Sequence, residues 1–202
     1  MQKDTYKTLF EPSTEILFKD RSSKFYGYAF PVSNEVEIKE HLELLKKKHH
    51  SARHWCFAWQ LGQYYEYHRV NDDGEPTNSA GMPIYGQLQS FDVTNTLVVV
   101  VRYFGGTKLG VGGLIQAYKT AAQMALEAAK IIEKTIDDSF QILFEYAEMN
   151  SVMRIIKEEN LSIIYQKMEL QCEIGISVRK NDAEKIFQLF ESIHKINIKK
   201  II

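Results

Sequence analysis

The chain is poor in cysteine, which limits both its covalent cross-links and its metal chemistry. Cys56 and Cys172 are its two cysteines, and they lie far apart with no partner motif around either. Because disulfide frameworks need paired cysteines, we expect both thiols to be reduced, as in the cytosol. No Cys/His pair and no H-E-x-x-H motif is present, so the sequence predicts no metal site.

Long apolar runs and an excess of one charge are also missing. The longest strand-like apolar run, Leu97 to Val101, is too short to span a bilayer. Residues 1 to 13 lack the apolar core of a signal peptide, so we expect a cytoplasmic protein with no membrane contact. The 25 Lys and Arg against 26 Asp and Glu give a formal net charge of -1. This balance excludes a global basic field, and any contact with a polyanion must be a local patch.

The two parts of the chain differ in pattern and predict two domains. Two hairpins, a capped helix after Asn34, a buried strand from Leu97 and a long helix over Gly113 to Ile132 indicate a domain over residues 1–134. From residue 135 onward glycine nearly disappears and the order of elements becomes βαββαβ. That order is typical of a ferredoxin-like domain, here residues 135–202. The sequence therefore predicts an α+β protein of the α/β sandwich type.

The glycine-rich loop, residues 105 to 113, lies between the buried strand and the long helix. Five glycines in its nine residues permit positive φ angles and close backbone approach, and a helix start presents free N–H groups to an anion. The alternative is that the glycines only let the helix pack tightly on the sheet. The candidate anion-binding or nucleic-acid-binding residues are Lys24, Arg53, Arg102, Gly105, Gly106, Lys108, Gly110, Gly112 and Gly113.

Two common nucleotide-binding templates do not fit this loop. No Lys-Ser/Thr pair follows a four-residue gap, as a phosphate-binding P-loop requires. The G-x-G-x-x-G spacing lacks its last glycine, so the dinucleotide fingerprint is absent as well. The sequence therefore predicts no nucleotide cofactor.

A second polar segment, the carboxylate turn of residues 71 to 83, brings three acids together. Asp72, Asp73 and Glu75 could share a proton or act as acid and base in an enzyme. The EF-hand spacing is absent, and the alternative is a turn whose acids cap the following helix. For Arg102, the sequence leaves two roles open, phosphate binding and pairing with Asp72 or Asp73.

Two long motifs in this order closely resemble the YigZ/IMPACT family. They run from Asn71 to Ile84 and from Val101 to Leu114. Shorter segments at residues 23–25 and 51–54 extend the resemblance over about 130 residues, and the βαββαβ tail resembles the C-terminal domain of bacterial members. The sequence departs from the family at Asn71, where Ser is common, and at residues 78–79, where Gly-Thr is common.

The resemblance implies a function in translation. It implies a first domain like domain IV of elongation factor G and a ferredoxin-like tail like the last domain of that factor. Eukaryotic IMPACT members regulate translation through an activator of a starvation-responsive kinase, so RNA, the ribosome or a translation-related protein is the expected partner. The alternative is an enzyme acting on a phosphorylated or anionic small molecule. The oligomeric state stays open, and a monomer is compatible with the sequence.

Overall fold

Residues 4–201 are described by the computed structural model, and they form two compact units. One unit is Tyr6–Lys134, and the other joins Asp4 and Thr5 to residues 135–201. Each unit combines β-sheet and α-helices, which confirms the α+β class. Asp4 and Thr5, which we had assigned to the first domain, belong to the second unit, and separate folding of the two domains stays a prediction.

The larger unit is built on a five-stranded sheet. In chain order the elements from residue 5 to residue 135 are β1 (Thr5–Leu9), β2 (Ile16–Asp20), β3 (Ser23–Pro31), α1 (Glu35–Lys48), β4 (His54–Leu61), β5 (Tyr67–Asn71), α2 (Gly81–Ser90), β6 (Thr96–Tyr103), α3 (Gly110–Glu127) and β7 (Ile131–Thr135). The terminal residues Thr5 and Thr135 of the two outermost strands belong to the smaller unit. The sheet has the order β2-β3-β6-β4-β5, and β1 pairs with β7 in a separate ribbon. The amino end of α1 is set by Asn34, whose side chain accepts hydrogen bonds from the amides of Val36 and Glu37.

Strand β6 is the central strand, and it is buried on both faces as its sequence predicted. Val98 and Val100 pack in the core beneath α2 and α3. Val99 and Val101 pack on the opposite face, in the core beneath α1. Because every residue from Thr96 to Arg102 is buried, the strand needs apolar side chains on both sides, which explains its continuous hydrophobic pattern.

The predicted helix over Gly113 to Ile132 is wrong at both ends. Helix α3 begins earlier, at Gly110, and ends at Glu127. Ile131 and Ile132 belong instead to strand β7. Side chains branched at Cβ fit a strand well, and pairing with β1 supplies the tertiary context that a helical reading of this apolar stretch lacked.

The smaller unit has the predicted ferredoxin-like arrangement. Its elements are β8 (Asp137–Phe144), α4 (Met149–Glu158), β9 (Ser162–Met168), β10 (Cys172–Arg179), α5 (Ala183–Glu191) and β11 (Ile196–Ile201). The sheet order is β11-β8-β10-β9, with all neighbours antiparallel. Its core combines one face of the sheet with the apolar sides of both helices, for example Ile142, Ile174, Val152 and Phe190.

Candidate functional site

The topology of the larger unit brings the two candidate segments to one edge of the sheet. Strand β4 is antiparallel to both β5 and β6, so β5 and β6 run in the same direction. The carboxylate turn follows β5 and the glycine-rich loop follows β6. Both segments therefore start from the same edge of the sheet, and each leads into a helix, α2 or α3.

A buried ion pair joins the two segments beneath that edge. The Nη1 atom of Arg102 donates to Oε1 of Glu75 at 2.6 Å, and the two side chains are 7% and 4% exposed. The Tyr118 hydroxyl donates to the same oxygen at 2.7 Å. The guanidinium lies over the rings of Phe25 and Phe104, 5.6 and 5.5 Å from their centroids. Arg102 thus holds the carboxylate turn against the start of the glycine-rich loop.

The partner that we predicted for Arg102 was wrong, because Asp72 and Asp73 are used elsewhere. Oδ1 of Asp72 accepts hydrogen bonds from the amides of Ala80 and Gly81 at 2.9 and 2.8 Å. Its Oδ2 accepts from the amide of Asn78 at 2.8 Å. The Asp72 carboxylate therefore caps the start of α2, as the structural alternative for this turn predicted.

Asp73 ties the same turn to strand β4. Its carboxylate accepts a hydrogen bond from the amide of Trp55 at 2.7 Å. Its carbonyl oxygen lies 2.8 Å from Nδ1 of His54, which must carry the proton of that bond. The other ring nitrogen of His54 is 4.0 Å from Oε1 of Glu75. Each of the three candidate acids thus has a protein donor, and acid-base chemistry at any of them would compete with a bond that shapes the turn.

Cys56 and Tyr118 complete the buried network, and neither is poised to react. The Cys56 thiol contacts the carbonyl oxygen of Asp72 at 3.0 Å and the Tyr118 hydroxyl at 3.3 Å. Burial raises the pKa of the Cys56 thiol and of the Tyr118 hydroxyl well above their usual values. Because the thiolate is the nucleophile, the buried Cys56 serves packing and hydrogen bonding.

The glycine-rich loop contains both a close backbone approach and positive φ angles. At Gly105 a Cβ atom would lie 2.1 Å from the carbonyl carbon of Ser22, so close packing excludes any side chain there. Gly106 and Gly110 have φ angles of +88° and +74°, which favour glycine. Gly112 and Gly113 lie in the first turn of α3, and a Cβ at Gly112 would meet open space. Tight packing thus explains Gly105 but not the whole loop.

The amino end of α3 is open to an external anion. Leu109, whose side chain has no hydrogen-bonding atom, occupies the N-cap position, and the first turn contains no acid. Within residues 4–201, no side chain caps this helix start. Lys108 is exposed immediately before this end. Unpaired amides and the helix dipole together favour a negative charge at such a position.

Two more basic side chains from the sequence prediction lie at the same edge. Lys24 is the second residue of β3 and pairs with Tyr103, the last residue of β6. Arg53 directly precedes β4, whose first residue pairs with Arg102. Lys24 and Arg53 are exposed, whereas Arg102 is buried. We call the exposed set of Lys24, Arg53 and Lys108, together with the glycine-rich loop, the basic edge.

Several residues of this region were not predicted from the sequence. Tyr118 lies within the predicted long helix, but the local pattern does not predict the bond from its hydroxyl to Glu75. Met82, Phe104 and Val111 are exposed apolar side chains on the two segments and on the starts of the two helices. Exposed apolar side chains at a polar surface can indicate a binding site. Their exposure here depends on the fold, so it could not be predicted from the local sequence pattern.

Residues 4–201 contain neither a metal-binding cluster nor a membrane-spanning helix. In that range, no cluster of three or more His, Cys, Asp or Glu side chains could hold a metal ion. No helix in the same range has the length and the apolar character to cross a membrane.

Comparison with known proteins gives consistent matches along the chain. The family model described as "Impact N-terminal domain" matches residues 21–126. "IMPACT family member YvyE" of Bacillus subtilis is 31% identical over 80% of this chain and 75% of that protein. "IMPACT family member YigZ" of Escherichia coli is 34% identical over 71% and 72%. A solved structure described as that of a hypothetical protein covers 98% of both chains with a TM-score of 0.74 and 24% identity, which shows a shared fold.

Proposed function

Since the chain belongs to the IMPACT family, whose eukaryotic members regulate translation, we propose that it is a translation-associated regulatory protein. Its basic edge binds RNA, either free or within the ribosome. The observation that supports this proposal is the open amino end of α3 beside three exposed basic side chains. Backbone amides, a helix dipole and flexible cations together suit the phosphates of a nucleic acid.

The charges at this edge favour binding to the phosphate backbone and not to particular bases. An anion at an exposed helix start gains about 0.3–1 kcal/mol. Each lysine or arginine that neutralises a phosphate adds affinity by releasing counterions, without reading sequence. Modest, salt-sensitive affinity with little sequence preference is therefore expected.

Arg102 has a supporting role in this proposal. Its guanidinium is buried and bonded to Glu75, so it does not reach a phosphate while this pair is intact. It fixes the end of β6, and with it the point from which the glycine-rich loop starts. The phosphate contacts are therefore assigned to Lys24, Arg53 and Lys108.

A salt series with matched lysine variants tests the proposal. We expect the full chain to cosediment with ribosomes or bind single-stranded RNA at low salt and to dissociate as salt rises. Replacing Lys24 and Lys108 with Ala removes two contacts and should reduce the slope of log K against log salt by about 1.4–1.8. The matched control replaces Lys39 and Lys119, which are exposed elsewhere on the larger unit, with Ala.

Each outcome of this series has a defined meaning. If both double variants lose affinity equally, a general charge effect replaces the proposed site. If neither variant changes binding while both stay folded, the basic edge is not the binding surface. If the chain captures a protein partner from cells even after nuclease treatment, RNA does not bridge the chain and that partner.

A further inference from the structure

The outer edge of strand β9 is unusually apolar for an edge strand. Strand β9 is the last strand of the sheet order β11-β8-β10-β9. Six large hydrophobic side chains of the described part of the smaller unit are exposed, and four of them lie along β9 and the turn that follows it. These four are Ile163, Ile164, Met168 and Leu170.

The other edge strands of the two large sheets carry charges that discourage pairing with another chain. Strand β2 carries Lys19, β5 carries Arg69, and β11 carries Lys199 and Lys200. Charged side chains, lysine above all, are a common protection of sheet edges against association. Strand β9 carries one charge, Lys167, as β5 carries one in Arg69. It differs from β5 in exposing three large aliphatic side chains along its length, Ile163, Ile164 and Met168.

A bulge separates β9 into an irregular and a regular part. Tyr165 pairs with Gly175 while Ile163 pairs with Ile176, so Ile164 has no partner on β10. Its side chain is 52% exposed. From Tyr165 to Met168 the pairing is regular, and this stretch can extend the sheet on its free side.

The regular stretch is complementary to itself when two copies run antiparallel. If two Gln166 residues face each other, Tyr165 of each copy lies opposite Lys167 of the other. Met168 then lies at the level of the bulged Ile164, just outside the regular stretch. No two like charges are then opposed. Lys167 already lies 5.8 Å from the centroid of the Tyr165 ring within one chain, and cation–π pairs across strands stabilise sheets.

From this complementarity we propose that two copies of the chain pair through β9, with Gln166 on the two-fold axis, and form a continuous eight-stranded sheet. The two tyrosine–lysine pairs fix the register, and the exposed apolar side chains are shielded from water. A foreign strand would need an aromatic residue and a cation at the same spacing, whereas the second copy supplies both. This association is independent of the basic edge and of RNA.

Light scattering across a concentration series tests the association. We expect the full chain to reach twice its monomer mass as concentration rises. Ile164→Lys adds the charge that the other edges have and should weaken dimerisation at least tenfold, equivalent to about 1.4 kcal/mol. The matched control is Leu17→Lys on β2, where an edge side chain is 40% exposed, and it should leave the dimer unchanged. A monomer at every concentration, or equal effects of both variants, contradicts the proposal.

Cysteine cross-linking tests the register. Residues directly opposite in antiparallel strands have Cα atoms about 4.5–5.5 Å apart, within the range of a disulfide. Gln166→Cys should therefore give a covalent dimer on oxidation, while both native cysteines are buried. In the control Ser162→Cys, the two new thiols lie eight residues apart along the strand, about 26 Å, and should not cross-link. Cross-linking through Cys at 162 but not at 166, or through neither, overturns the proposed pairing.

Discussion

The amino ends of α2 and α3 have similar positions in the fold but differ in how their first amides are capped. Both helices follow parallel strands at one edge of the sheet, and neither has an acid in its first turn. At α2, the carboxylate of Asp72 accepts hydrogen bonds from Ala80 and Gly81. At α3, no side chain among the described residues accepts a hydrogen bond from the first amides. The chain thus supplies an internal anion to one helix and leaves the other open, which is why we place the external anion at α3.

The largest effect is expected from breaking the ion pair that joins the two segments. Arg102→Ala leaves Glu75 buried without its cation, and we expect a loss of about 3–5 kcal/mol in the free energy of unfolding. Denaturant titration measures it. In the double variant Arg102→Met, Glu75→Gln no unpaired charge is left. Its loss should therefore be smaller than the sum of the losses of Arg102→Met alone and Glu75→Gln alone. Additive losses would mean that the pair is not coupled.

Removing the internal anion of α2 should have a smaller effect. Asp72→Ala deletes an acceptor for three amides and should lower the free energy of unfolding by about 0.5–2 kcal/mol, as loss of an N-cap does. Asp72→Asn keeps an acceptor oxygen and should cost less. RNA affinity of the folded protein should not change in either variant. A loss of affinity after Asp72→Asn, with stability unaffected, would instead assign this carboxylate to the binding site.

Giving α3 the acid that it lacks should make the two helix starts alike. Val111 lies in the first turn of α3 and is 54% exposed, so Val111→Glu removes little packing. We expect a gain of about 0.3–1 kcal/mol over the control Val111→Gln, because a carboxylate interacts favourably with the helix dipole. The same change should weaken polyanion binding. Thermal melts and binding titrations of the two variants decide, and equal RNA affinity of both would count against an anion site at α3.

The smallest effect concerns pH and the buried His49, which contacts the end of the strand before the glycine-rich loop. His49 contacts the hydroxyl of Tyr103, the last residue of β6, and the hydroxyl of Tyr28, which in turn donates to Glu15. Burial lowers the pKa of His49 below its usual value, Glu15 opposes this shift, and Lys48 adds to it. The rings of Tyr26, Tyr28 and Tyr103 surround the imidazole.

A lowered pKa means that the unfolded chain binds a proton more readily than the folded one. The stability that neutral His49 contributes is therefore complete above the unfolded pKa of about 6.5 and is lost as pH falls toward the folded value. His49→Gln should remove this part of the acid sensitivity. Denaturant titrations at pH 8 and pH 5.5 measure this acid sensitivity in the unchanged chain and in the His49→Gln variant. If both lose the same stability between the two pH values, His49 is not the group responsible.

Local patterns in the sequence predicted the elements better than the contacts between side chains. Asn34 marked the start of α1, the valines of β6 marked the central strand, and the βαββαβ order of the tail gave the ferredoxin-like sheet. These features depend on residues close together in sequence. The end of α3 could not be predicted, because Ile131 joins a strand through pairing with β1, more than a hundred residues away.

In the candidate site, too, side-chain partners could not be predicted from the sequence. The sequence left open a pair between Arg102 and the carboxylate turn, but the partners it offered were Asp72 and Asp73. The choice of Glu75 depends on where each carboxylate lies after the turn has formed. Asp72 and Asp73 satisfy nearby amides, while Glu75 is directed inward to Arg102 and Tyr118. The spacing of the three acids in the sequence does not show which of them bonds to nearby amides and which to Arg102.

The difference between the two helix starts is tested most directly by the amide resonances of the full chain in a ¹H–¹⁵N spectrum, titrated with single-stranded RNA at low salt. We predict that the amides of Gly110, Val111 and Gly112 shift in proportion to bound RNA and return as salt is raised. The amides of Ala80 and Gly81, already bonded to Asp72, should stay in place. Shifts at the start of α2 without shifts at the start of α3, or binding that moves neither, would contradict the account.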